Sequence, residues 1–174
     1  METDIMRHAL KEQQPTWQLV AATAIVAGVL AIASNGASAG ECPAASKVAD
    51  GQGQKMGPTM PKDVTDVVRT VTDLSKEPAM IKGRQFRLRQ LEMKPGGVVP
   101  WHSHDNRPAM IYIVSGEVVE YASNCAVPIV HKAGDVAPEK NGTSHWWKNT
   151  SNTTAVLISV DLLPGDAKMD EHMM

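Results

Sequence analysis

Two histidines separated by a single residue, in a glycine-bounded and β-prone stretch, constrain this chain more than any other feature. Gly96–Gly116 reads GGVVPWHSHDNRPAMIYIVSG and holds His102 and His104. A strand turns residues i and i+2 to the same face, so both imidazoles point one way. Imidazole is the commonest side-chain ligand for transition metals. A second stretch, GDVAPEKNGTSHWWKN from Gly134 to Asn149, supplies His145. Three of the six histidines therefore fall in two short segments with strand-like surroundings.

The rest of the chain from Val64 onward has the same texture. Val64–Leu74 is dense in Val and Thr, and Arg84–Met93 alternates, with Phe86 and Leu88 on one face and Arg87 and Arg89 on the other. Lys94-Pro95-Gly96-Gly97 is expected to turn the chain into the first histidine segment. Ala109–Val114, Glu117–Tyr121, Val127–His131, Trp146–Asn149 and Ala155–Leu163 read as further strands, separated by Ser-Gly, Ser-Asn and Ala-Gly-Asp turns. Short strands at this spacing with no strong helix indicate an all-β sandwich or barrel over residues 64–165. Ala109–Val114 (AMIYIV) is apolar on both faces, which predicts cover on both sides. The barrel interior is one cover and a second subunit the other, so a homodimer is expected.

The ends do not read as fold. Leu19–Ala33 is an apolar run of the length of a signal-peptide core, and Ala37-Ser38-Ala39 offers a small-x-small cleavage site before Gly40. Arg7 and Lys11 in front of it are offset by Glu2, Asp4 and Glu12. Residues 1–39 are thus expected to be a signal peptide, or else an uncleaved membrane anchor at residues 19–33. Export to the periplasm or beyond follows, with membrane contact only if the leader stays. Glu41 stands where a lipobox needs a small residue, so Cys42 is not read as a lipid site. Residues 40–63 read as a linker or loosely attached arm, and residues 166–174, with His172, as a flexible tail. Cys42 and Cys125 either form one disulfide pinning the arm or are two unrelated thiols; sequence does not fix their geometry.

With 174 residues the chain holds one domain and an extension. A net charge of −2 without a basic stripe argues against a nucleic-acid partner. There is no Ser/His/Asp constellation, no phosphate-binding glycine loop and no CxxC.

The two histidine segments resemble the paired motifs of the cupin superfamily, whose small single-domain members are double-stranded β-helix, or jelly-roll, barrels. Gly96 stands five residues before His102, His104 follows, and Gly116 closes the first motif in register. The second motif is matched by Gly134, Gly142, His145 and Asn149, with Lys140 where proline is usual. The resemblance implies a divalent metal held by His102, His104 and His145. The family's glutamate falls at Ala109, which cannot ligate. A three-histidine face without ligand charge resembles thiol dioxygenase-type and diketone-cleaving cupins, which favours iron; zinc, nickel, copper or manganese also accept imidazoles. Asp105 and Glu139 are the substitute carboxylates nearest the motifs, and a barrel that lost glutamate and metal together is the alternative.

Other residues are open to two readings. Trp101, Trp146 and Trp147 line a pocket mouth or fill core. Arg87 and Arg89 hold an anionic substrate if their face looks inward, and are solvated if it looks out. Tyr112 and Tyr121 are unmarked, and His131, at a strand end, reads as a surface residue. The leading functional expectation is an exported, metal-dependent, oxygenase-like enzyme on a small organic molecule. The alternatives are a non-catalytic barrel that binds or senses a small ligand, and a structural role at the cell envelope.

Overall fold

A computed structural model describes residues 40–167 of the protein. The signal-like segment at residues 1–39 and the tail's His172 lie outside the described residues. No helix among the described residues is long and apolar enough to cross a membrane.

Eight antiparallel strands wrap into a jelly-roll barrel: β1 Lys62–Asp73, β2 Arg84–Ser103, β3 Ala109–Ser115, β4 Glu117–Ala122, β5 Ile129–Lys132, β6 Val136–Glu139, β7 Ser144–Lys148 and β8 Ala155–Pro164. Their hydrogen-bonded order is β5-β4-β7-β2-β8-β3-β6, with β1 on the other side of β2. The expected turn at Lys94–Gly97 is instead a bend inside one continuous strand. Residues 84–93 of β2 pair with β8, and residues 98–103 pair with β7. Gly96 sits at φ 77°, a conformation glycine adopts without steric cost. Asn149 bridges the corner: its carbonyl accepts from Gly96 N (2.9 Å) and its amide donates to Gly97 O (2.9 Å). A strand that changes sheets at such a corner carries His102 from one wall of the barrel to the other.

The alternation along β2 and β8 sorts the interior into two ends. Met93, Leu91, Ala155 and Leu157 pair across the two strands and join Ile111, Ile113, Val118 and Trp147 in one apolar cluster. Further along the same inward face come Arg89 opposite Ser159 and Arg87 opposite Asp161. Of the two facings open to Arg87 and Arg89, the inward one is realised: both are buried, and Phe86 is left outside, 46% exposed. Asp161 accepts a bidentate pair from Arg87 (3.0 and 2.7 Å), one bond from Arg107 (3.2 Å) and one from Arg89 (3.4 Å). Arg89 also binds Asp66 of β1 and donates to Ser159 Oγ (3.1 Å).

Residues 40–58 are attached to the barrel more closely than a loose linker. Cys42 and Cys125 are joined by a disulfide with Cα atoms 5.8 Å apart. Val48 N donates to Asn124 O (3.0 Å), Ala126 N to Ser46 O (2.9 Å), Gly53 N to Ser123 O (2.7 Å) and Trp101 N to Pro58 O (2.7 Å). Gly53 and Gly57 lack the Cβ that would collide with the Cys125 backbone and the Trp146 ring.

Candidate metal centre

His102 closes β2, His104 follows it, and His145 lies on β7 directly opposite His102 in the ladder. Their rings gather with centroids 4.7 to 4.9 Å apart. The carboxylate missing at Ala109 is supplied from the neighbouring strand. Ala109 of β3 pairs with Glu139 of β6, and both side chains face inward. Glu139 Oε2 lies 2.9 Å from His104 Nε2, and its Oε1 lies 3.2 Å from His145 Nε2. The ligand atoms of His102, His104, His145 and Glu139 all fall within 4.8 Å of one another. Of the two substitute carboxylates nearest the motifs, Glu139 is the one that stands beside the three histidines. Asp105, the other substitute considered, is exposed and outside the cluster.

Each imidazole is oriented through its outer nitrogen. His102 Nδ1 donates to Pro100 O (2.8 Å), His104 Nδ1 to Arg107 O (2.6 Å) and His145 Nδ1 to Glu120 Oε1 (2.6 Å). Occupying Nδ1 with an acceptor fixes the tautomer that leaves Nε2 as the inward lone pair. His104 Nε2 is buried without a well-directed hydrogen bond. An inward nitrogen of that kind, beside two further imidazoles and a carboxylate, fits a first-row divalent ion.

Glu120 extends the site outward. It lies on β4 and also accepts from His131 Nε2 (2.9 Å). His131 is fully buried and stacks on Trp147, with centroids 4.6 Å apart, which corrects its reading as a surface residue. Burial raises the Glu120 pKa, but hydrogen bonds from His131 and His145 outweigh it and hold it at about 2, against 4.5 ordinarily. For His145 burial disfavours the cation, whereas the charge of Glu139 and the bond to Glu120 raise its pKa overall. His102 goes the other way, pushed well below its ordinary value by burial and by the neighbouring His145.

A testable consequence follows from Glu120. Its folded pKa lies below the unfolded one, so its contribution to stability is complete above about pH 4.5 and disappears as pH falls through about 2. Urea unfolding of metal-free protein across that range should show this acid loss, and Glu120→Gln should flatten it. The same variant should weaken metal binding about 10- to 100-fold, the usual effect of removing a partner that orients a ligand.

Next to the ligands lies a narrow cavity of ≈ 20 Å³, walled by apolar residues including Trp147 and closed on one side by Arg89. Its space suits one or two waters, or a very small anion bound partly in their place. Trp147 is core, whereas Trp146 stacks on Tyr121 (4.0 Å) away from the ligands.

A small all-β barrel with an inward histidine–glutamate cluster is the class that this fold and site define. The Cupin domain profile matches residues 89–161. The oxalate-binding protein of Thermotoga maritima is 38% identical over 90 residues, covering 52% of this chain and 71% of that protein. Auxin-binding protein ABP19b of Prunus persica is 28% identical over 79 residues, 44% of this chain and 38% of its own length. Among solved structures, an oxalate oxidase in complex with the substrate analogue glycolate superposes with a TM-score of 0.46 at 20% identity, covering 62% of this chain and 55% of that one. The chain belongs to the cupin family.

Proposed function

We propose that this protein is an exported cupin that holds a first-row divalent ion, manganese or iron in preference, and uses it to bind a small dicarboxylate of the oxalate class. The observation that carries the metal reading is the set of three Nδ1 atoms engaged outward, which aims three Nε2 atoms and the Glu139 carboxylate at one point. Mixed imidazole and carboxylate donors suit these ions. When bound, the ion supplies Lewis-acid positions that an oxalate-like ligand can chelate. The chain's own residues set the ligand's size. The cavity beside His102 and Glu139 is small and mostly apolar, which favours the shortest dicarboxylates over longer ones. The Thermotoga relative's name points to the same ligand class. Glu139 removes the ground for likening the site to charge-free three-histidine oxygenases, so the binding barrel becomes the better reading. The Cys42–Cys125 disulfide supports an oxidising, extracytoplasmic compartment.

The test is calorimetry with manganese-loaded and metal-free protein against oxalate, malonate and succinate. Oxalate should bind the loaded protein alone and outcompete the longer acids, without turnover. Equal binding to metal-free protein, or a preference for succinate, would overturn the ligand assignment.

We further propose that the protein is a homodimer. Phe86, Met110, Tyr112, Val114 and Val136 stand 45 to 64% exposed on the outer face of β2, β3 and β6, with half-buried Ile158 and Val160 of β8 between them. Exposed apolar side chains gathered on one face mark a site of protein–protein contact. Light scattering should give twice the chain mass, and Tyr112→Lys should give a monomer; a monomeric wild-type protein would contradict it.

A further inference from the structure

A second cavity reaches the candidate metal centre from outside the barrel. This groove of ≈ 260 Å³ is lined by Glu120, His145 and Glu139 of the barrel and by Gly40, Glu41, Cys42 and Lys47 of the arm. We propose that the groove is the path by which the metal reaches its ligands, and that the Cys42–Cys125 disulfide holds residues 40–42 across it as a closed flap. The inference rests on the metal reading above.

Two contrasts favour this path over the inner cavity. A hydrated dication exchanges its waters for oxygen donors one at a time, and the groove offers the carboxylates of Glu41, Glu120 and Glu139 and the polar side chains of Asn124 and Thr143. Lys47 and Lys140 also line it, but Lys47 is 3.6 Å from Glu41 and partly neutralised by it. The inner cavity instead is narrow and has mostly apolar walls, which offer a hydrated cation few donors to replace its waters.

The flap depends on the disulfide. The arm's backbone hydrogen bonds to the barrel begin at Ser46 and Val48, beyond Cys42. Ahead of them, Gly40 packs so tightly that a Cβ would lie 2.8 Å from His131 Nδ1 and 3.1 Å from Val136 O. Gly40–Cys42 is thus held by the sulfur–sulfur bond, by this packing and by the exposed Glu41–Lys47 pair, weak in water, while residues 46–54 stay clamped without them. Two electrons and two protons from a dithiol, itself oxidised to a disulfide, would convert the pair to two thiols and free the flap alone.

A gate alters the barrier and not the bound state, so it changes loading and release by the same factor. The experiment follows cobalt(II) absorbance in the full chain as the metal loads and as EDTA removes it, before and after reduction with a dithiol that is removed by gel filtration under anaerobic conditions, and in Cys42→Ser. Both rates should rise about tenfold or more on opening, with the dissociation constant unchanged. Ile113→Ala, which weakens the core without touching the groove, should leave the rates far below those of Cys42→Ser at matched thermal stability. Metal that binds at rates indifferent to the disulfide, or a rise equalled by Ile113→Ala, would overturn the gate while sparing the metal site. Failure of cobalt to bind in either redox state would overturn the metal reading itself.

Discussion

Glu139→Ala should abolish tight metal binding, and adding Ala109→Glu to it should restore binding. The loss should exceed the 10- to 100-fold typical of an outer partner, because a charged donor leaves the cluster itself. The rescue follows from register. Ala109 and Glu139 are directly opposed on β3 and β6 with their side chains inward. Directly opposed Cβ atoms lie only about 5 Å apart, so a carboxylate grown from position 109 can reach the same ligand atoms. The single variant Ala109→Glu should instead crowd two carboxylates into one site and raise the pKa of one of them. Competition against a chelating dye reads all three variants. Undiminished affinity in Glu139→Ala would remove Glu139 from the site. A dead double variant alongside a folded, dead single variant would show that the two positions are not equivalent.

Asp161→Asn should destabilise the barrel most. Asp161 is the carboxylate shared by Arg87, Arg89 and Arg107, and all four side chains are buried. Removing one partner of a buried ion pair leaves uncompensated charge and costs about 3–5 kcal/mol, or on the order of 10 °C or more in melting temperature for a domain of this size. Burial raises the Asp161 pKa, but the Arg87 bond and the three guanidinium charges prevail and hold it below its ordinary value. Its stabilisation is therefore present above the unfolded pKa near 4 and lost as pH falls through the lower folded value. Asp66 behaves oppositely: burial outweighs Arg89 and raises its pKa. Asp66→Asn should accordingly cost less than Asp161→Asn at neutral pH. Thermal melts at pH 7 compare the two, and equal losses would contradict this division of roles.

Local features of the site were legible in the sequence, and those set by pairing between distant strands were not. His102 and His104 share a face because of two-residue periodicity, and His145 was reachable through motif spacing. Nothing local marks Glu139 as more than one of two nearby carboxylates, because its strand is four residues long, contains Pro138, and ends the hydrogen-bonded order of the sheet. Proline is tolerated at such an edge but masks the strand in sequence. What brings Glu139 to the three histidines is its register with Ala109, thirty positions away, and no local pattern encodes that. Alternation put Arg87 and Arg89 on one face but could not orient it: charged residues turn inward here because Asp161 and Asp66 meet them. His131 reads as superficial from its place at a strand end, yet it is buried by Trp147 and by the arm at Gly40. The apolar Ala109–Val114 alternates between the core, with Ile111 and Ile113, and the exposed Met110, Tyr112 and Val114.

The most direct measurement is an anomalous-difference map, at a transition-metal absorption edge, from crystals of protein purified without chelator and supplied with manganese or iron. One strong peak is expected at about 2.0–2.3 Å from Nε2 of His102, His104 and His145 and from a carboxylate oxygen of Glu139. A clean map at that point in fully supplied crystals, or a peak bound elsewhere with Glu139 turned away, would contradict it.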